Sequence, residues 1–374
     1  MKCNGRSAIS GERIEIEFDT TVKNVDPLLT SHAEDAVFIA PGFVDLQVNG
    51  FAGVDFNSPT AEIENAFAKL FSTGVTRFFP TVITGAPDAM LAALRNLAAA
   101  RESLPYGQAI EAIHVEGPHI SPADGPRGAH PKEWVRPPDF AEFQRWQDAT
   151  QGLVRIVTLS PEWPEAPRYI EQITELGVVA AIGHTRATPA QLRDAVAAGA
   201  TLSTHLGNGA GSRTRTEDFI TYQLNEPRLA ASFIIDHHHL PDDFLRLALD
   251  LKGVDRSILV TDAVAPAMCE PGHYMLGSVE VELRVDDRVT LRGGERLAGS
   301  SLRMDRAIGN VMSRAGVGLA QAVTMASTNP ARVGRVPGRL RALQPGSRAD
   351  LVRFRMDAGR VEVLETWMSG QRVY

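Results

Sequence analysis

Glu116, His184, His205 and Asp262 have the side chains and the sequence surroundings for metal-assisted hydrolysis. Each ends a short apolar run: Ala-Ile-His-Val-Glu116, Val-Ala-Ala-Ile-Gly-His184, Thr-Leu-Ser-Thr-His205 and Ile-Leu-Val-Thr-Asp262. Turn-type residues follow the first three, Gly-Pro after Glu116, Thr-Arg after His184 and Leu-Gly-Asn-Gly after His205. Polar side chains at the ends of several buried parallel strands point into one pocket, which is how a barrel builds an active site. A carboxylate and two imidazoles make three ligands for a divalent metal and leave a fourth position for water. Asp262 is then free to take a proton from that water and to hand it to a leaving nitrogen. Any one of these residues alone reads as a solvated strand end. Four of them, on the third, fifth, sixth and eighth runs of one series, read as a site.

The elements that must position them recur regularly. Eight apolar, β-branched runs cover 42–48, 75–83, 110–116, 153–159, 178–184, 200–206, 230–235 and 257–262, about 31 residues apart, the length of a strand–helix–strand unit. Near-continuous apolar strands predict a sheet covered on both faces. Helical patterns lie between them, one from Asp88 and another with Thr188 at the N-cap and Pro189 at the first helical position. The fold class predicted is α/β: a (β/α)8 barrel over 41–338, with a small β-sandwich domain formed by the two termini, 1–40 and 339–374. The strands expected in the terminal pieces lie in 8–39 and 349–374, and residues 278–297 read as a β-hairpin inserted after the eighth strand.

Composition permits this reading. Hydrophobic residues are 44% of the 374, enough for a large core, and the net charge of −7 leaves no basic excess for nucleic acid or an anionic membrane. Two cysteines far apart in sequence, Cys3 and Cys269, do not make a disulfide framework and fit a reducing compartment. With no signal-peptide pattern or membrane span in the sequence, the expected location is the cytoplasm.

The first run also bears on metal count. A His-x-His pair there would build a second metal site. This chain has Gln47-Val-Asn49, whose amides are poor zinc ligands beside imidazole, and the fourth run contains no lysine to bridge two metals. One divalent ion per chain, zinc by its donor set, is the expectation.

These residues fall within a longer ordered series: Pro41-Gly-Phe-Val-Asp-Leu-Gln-Val-Asn-Gly50, His114-Val-Glu-Gly-Pro118, Gly128-Ala-His130, Gly183-His-Thr185, Thr204-His-Leu206 with Asn208, Leu259-Val-Thr-Asp-Ala263, Leu297-Ala-Gly-Ser-Ser-Leu-Arg-Met304 and Thr328-Asn-Pro-Ala-Arg332. Gly-His-Thr alone is weak; the whole series, in order, resembles the amidohydrolase superfamily and within it the N-acetylglucosamine-6-phosphate deacetylases. The resemblance implies a metal on Glu116, His184 and His205, with Asp262 as acid and base. It implies substrate contacts from His130 to a sugar hydroxyl, from Asn208 and the backbone of Gly209 to the ligand, from His239 to the amide carbonyl or the sugar, and from the backbone near Met304 to the acetyl group. It also implies a homodimer whose partner lends positive charge to the pocket.

The chain departs from the family at Leu206-Gly-Asn-Gly-Ala210, where an aromatic residue and Asn-Ala-Met are usual, and at Ile235-Asp-His-His-His239, where Ala-Asp-Gly-hydrophobic-His is usual. The phosphate-binding arginine has two candidates, Arg213 and Arg215, both offset. The expected reaction is hydrolysis of the acetamide of an N-acetylated amino sugar, first of all N-acetylglucosamine 6-phosphate. The alternatives are an unphosphorylated N-acyl sugar or cyclic amide as substrate, and an inactive barrel that serves as a binding protein.

Overall fold

The computed structural model describes residues 1–28, 36–208, 218–339 and 343–374. Its centre is an eight-stranded parallel sheet in chain order: Phe43–Val48, Val75–Ile83, Ile113–Glu116, Val154–Leu159, Val179–Ile182, Leu202–Ser203, Ala230–Phe233 and Ser257–Leu259. The sheet nearly closes on itself. Past the last strand, the Asp262 N–H donates to the Gln47 carbonyl at 3.0 Å and the Asn49 N–H donates to the Ala263 carbonyl at 2.7 Å. All nine residues of Val75–Ile83 and all six of Phe43–Val48 are buried, as a sheet covered on both faces requires. The fold is therefore the (β/α)8 barrel that the eight runs predict.

Helices cover the outside. Pro87–Ser103 turns Met90, Ala93, Leu94 and Leu97 inward at helical spacing, each Leu contributing about 1.5–3 kcal/mol through burial. Pro189–Ala197 opens as its sequence predicts. The Thr188 hydroxyl accepts from the Gln191 N–H, and the Gln191 side chain accepts from the Thr188 N–H at 2.8 Å, a complete capping box.

The two termini share one seven-stranded sheet, in the order Gln371–Arg372, Arg360–Met368, Leu351–Asp357, Val37–Pro41, Lys2–Ser7, Arg13–Phe18, Val22–Pro27. It has its own small core of Ile14, Ile16, Phe18, Val22, Ile39 and Leu351. The first strand, Lys2–Ser7, begins before the stretch expected to be extended. Its Lys-Cys-Asn-Gly-Arg-Ser sequence has no apolar alternation, and pairing on both sides carries it. The insertion after the eighth barrel strand is a three-stranded antiparallel sheet, Gly272–Leu276, Val279–Leu283 and Val289–Leu291, rather than a two-stranded hairpin. The added strand, Gly-His-Tyr-Met-Leu, is only half buried, so burial left little apolar signal in it.

Candidate active site

Glu116 is the last residue of the third barrel strand, and His184, His205 and Asp262 lie two or three residues beyond the fifth, sixth and eighth. At His184, His205 and Asp262 the chain turns off its strand with φ of 49°, 29° and 50°. Left-handed backbone is unfavourable for residues with a Cβ and recurs where surrounding structure holds a functional side chain in place. Gly183 makes one of these turns fit. A Cβ there would come within 2.6 Å of Thr158 Cγ2 and 3.0 Å of Thr204 Cβ.

The four side chains line one cavity of about 760 Å³ at the C-terminal mouth of the barrel. His205 Nε2 lies 2.8 Å and His184 Nε2 3.3 Å from Glu116 Oε1. His130, on the loop after the third strand, joins them. Its Nε2 is 3.3 Å from His184 Nε2 and 4.0 Å from Glu116 Oε2. Ligand atoms of Glu116, His130 and His184 lie within 4.8 Å of one another, so the residue expected only at a sugar hydroxyl also belongs to the cluster. Gln47 Nε2 donates to Glu116 Oε1 at 3.0 Å and Asn49 Nδ2 donates to Asp262 Oδ1 at 2.7 Å. The amides of Gln47, on the first strand, and Asn49, just past its end, thus orient carboxylates. Below them, the carboxylate of the buried Asp45 accepts from the Thr261 hydroxyl at 2.6 Å and fixes the residue before Asp262.

The donor set fits a divalent cation. His184 Nδ1 lies 2.9 Å from the Pro126 carbonyl, which can only accept, so Nδ1 carries the proton and Nε2 presents a lone pair toward the carboxylate. A lone pair, a carboxylate and further imidazoles converging on one point are held together by positive charge. Glu116 and the imidazoles also perturb one another. Burial alone would raise the Glu116 carboxyl, but His184 and His205 hold it well below the usual range. Burial opposes charge on His205, and Glu116 overrides it and raises the ring. Asp262 moves the other way, pushed up to about 6 by burial and by the charge of Glu116. A carboxyl in that range exchanges protons readily near neutral pH.

His239 and Asn208 also line the cavity. Asn208 Nδ2 donates to the His205 carbonyl at 3.1 Å. Met304 opens the helix Met304–Ala315, and its side chain is fully buried in the main core. Gly209, Arg213 and Arg215 lie outside the described residues. Arg296, which the sequence reading missed, lines the cavity from the segment just after the inserted sheet, and its Nη1 donates to the Gly128 carbonyl at 3.1 Å. Among the described lining residues it is the one arginine or lysine. Its sequence signal is its place immediately before the Leu297–Met304 motif. A second groove, of about 580 Å³, lies on the outer surface along helices Pro87–Ser103 and Phe140–Thr150 and contains no histidine.

An eight-stranded parallel barrel with a carboxylate–imidazole cluster and a buried aspartate at its C-terminal mouth defines the metallohydrolase class of barrels. The chain belongs to the amidohydrolase family, whose model matches residues 38–373, and it is a hydrolase. It is 32% identical over 356 residues to an N-acetylgalactosamine-6-phosphate deacetylase from Escherichia coli O157:H7, covering 94% of this chain and 92% of that one. It is also 32% identical over 323 residues to the N-acetylglucosamine-6-phosphate deacetylase of Bacillus subtilis, covering 85% and 80%. The crystal structure of N-acetyl-D-glucosamine-6-phosphate deacetylase from Mycobacterium smegmatis superposes with a TM-score of 0.90 at 30% identity, covering all of both chains.

Proposed function

We propose that this chain hydrolyses the acetamide of an N-acetylated amino sugar 6-phosphate, giving the free amine and acetate, with N-acetylglucosamine 6-phosphate as the first substrate to test. The observation that carries the reading is that Asp262 shares one cavity with the Glu116, His184 and His205 cluster in a chain similar from end to end to deacetylases. Glu116, His184 and His205 would hold one divalent ion, zinc by the nitrogen and oxygen donors, because Gln47 and Asn49 are committed to hydrogen bonds with carboxylates. When bound, such an ion supplies positive charge that polarises a carbonyl and acidifies water. The chain's own groups do the rest. Asp262 takes the proton of the attacking water, holds it, and delivers it to the amine nitrogen as the C–N bond breaks. Asn49 keeps the Asp262 carboxylate pointed at the reacting atoms. His239 hydrogen-bonds the acetamide oxygen as negative charge develops there. His130 and Asn208 face the sugar, and Arg296 is placed to meet its phosphate.

A second substrate is favoured by one specific observation, the relative named for N-acetylgalactosamine 6-phosphate that matches 94% of this chain. The two sugars differ only in the orientation of one hydroxyl. We take the protein to work in the cytoplasm as a homodimer; among the described residues no helix is long and apolar enough to cross a membrane. Acetate release from both epimers, each with and without the 6-phosphate, tests the proposal. Turnover of a phosphorylated epimer at a kcat/KM at least tenfold above its unphosphorylated form is expected. No acetate from any of the four would reject it.

A further inference from the structure

His239 reaches the cavity from the loop after the seventh barrel strand, and a carboxylate stands behind it. Asp236 Oδ2 accepts from His239 Nδ1 at 2.7 Å. Asp236 Oδ1 accepts from the backbone N–H groups of His238 at 2.9 Å and His239 at 2.7 Å. One carboxylate therefore fixes both the loop backbone and the ring. Asp236 and His239 are 9% and 7% exposed, so the pair is shielded from bulk water. Burial works against a charged Asp236, yet His239 and the backbone donors pull its carboxyl down to about 2. It stays an acceptor at any pH where an enzyme works. His239 lines the cavity, and with Nδ1–H donated to Asp236 its Nε2 donates to a carbonyl oxygen only in the doubly protonated ring, the form a buried carboxylate behind it stabilises.

We propose that Asp236 is a positioning residue: through Nδ1 it sets the angle of His239 and holds its ring doubly protonated, so that Nε2–H donates to the acetamide oxygen of the substrate. The role rests on the deacetylase reading above. Its logic is that of any buried aspartate behind a working imidazole, where the carboxylate fixes the tautomer and stabilises the doubly protonated ring without losing its own charge. The neighbouring histidines share the loop but not this arrangement. Of the three imidazoles in Asp-His-His-His239, the ring of His239 is the one bonded to the Asp236 carboxylate.

Asp236→Asn separates the two jobs of the carboxylate. Its amide oxygen still accepts from the two backbone N–H groups, so the loop keeps its shape. Its NH₂ now meets Nδ1, which must give up the proton and become the acceptor. Two readouts follow. In ¹⁵N-histidine-labelled protein, His239, assigned by its loss in His239→Asn, is expected to show a protonated Nδ1 in wild type and an unprotonated Nδ1 in Asp236→Asn. In kinetics, Asp236→Asn is expected to lower kcat about 10- to 100-fold with KM changed less than threefold and the melting temperature nearly unchanged. The double variant with His239→Asn is expected to fall within about twofold of His239→Asn alone, since Asp236 acts through that ring. Wild-type kcat in Asp236→Asn, effects that multiply in the double variant, or an unprotonated Nδ1 in wild type would each overturn the proposal. Absence of acetate release by wild type would reject the deacetylase reading instead, and the ¹⁵N spectra would still decide whether Asp236 sets the ring.

Discussion

His184, His205 and Asp262 each occupy left-handed backbone, and each is a residue to which the proposed reaction assigns a definite task. The price is strain of order 1–3 kcal/mol at such a residue, tolerated because packing around it leaves no alternative. His130 raises a sharper question at this scale. It sits as close to His184 as ligands of one ion sit to each other, yet its Nδ1 is bonded to the Thr84 hydroxyl at 2.9 Å rather than to a group that fixes its tautomer. His184 has the carbonyl of Pro126 for that purpose. His184→Ala and His205→Ala are therefore expected to lose metal and activity together, because the ligands that remain cannot hold zinc tightly. His130→Ala is expected to retain close to one metal per chain while KM rises. Elemental analysis of the three purified variants checks this, and metal loss from His130→Ala would make His130 a ligand.

Whole elements were easier to read in the sequence than their ends. All eight barrel strands lie where apolar runs predict them, because a strand buried on both faces must be apolar throughout. The sixth shows the limit. Its run suggested 200–206, but only Leu202–Ser203 pairs regularly, since the chain leaves the sheet to place His205. Strand-end chemistry was legible because residues such as Glu116 and Asp262 have no place in an apolar run otherwise. Three-dimensional company was not. That His130 would meet His184 across 54 residues, or that the segment just after the inserted sheet would carry Arg296 to the cavity, depends on loop paths that leave no periodic pattern. That segment gives a prediction of its own. Arg296→Ala is expected to raise KM for the 6-phosphorylated substrate about tenfold or more, the worth of a charge-assisted contact, and to leave KM for the unphosphorylated sugar unchanged. Steady-state kinetics on both substrates decides it; equal effects on the two would remove Arg296 from phosphate recognition.

At the scale of the whole molecule, the end of the barrel opposite the site holds the chain together. Arg77, near the start of the second barrel strand, donates through Nε to Asp350 Oδ2 at 2.8 Å and through Nη2 to Asp350 Oδ1 at 3.0 Å. Arg339 Nη1 donates to Asp350 Oδ2 at 3.0 Å, and the Ser369 N–H donates to Asp350 Oδ1 at 2.7 Å. One buried carboxylate so ties the barrel to the sheet of the two termini. Burial disfavours its charge, but Arg77 and Arg339 hold it far below the usual range. A carboxyl whose folded value is depressed stabilises fully above its unfolded value, near 4, and progressively less as pH falls below that toward the folded value. Asp350→Asn strands two buried guanidinium groups and is expected to cost about 3–5 kcal/mol at pH 7. The difference from wild type is expected to shrink below about pH 4. Denaturant midpoints at pH 7, 5 and 3 measure both, and a gap that stays constant down to pH 3 would contradict the assignment.

The most direct test of the account is the turnover of Asp262→Asn on N-acetylglucosamine 6-phosphate, with metal content measured on the same sample. Asparagine has nearly the size of aspartate and still accepts the hydrogen bond that Asn49 donates to Asp262 Oδ1, so folding and metal binding are expected to survive. It cannot take a proton from water. General acid–base assistance is worth roughly 10²–10⁴ in rate, and Asp262 is assigned both proton transfers. The account therefore predicts a loss of kcat of about 10⁴ or more with KM little changed, as expected for an interaction made in the transition state. A kcat within tenfold of wild type, with metal retained, would contradict it.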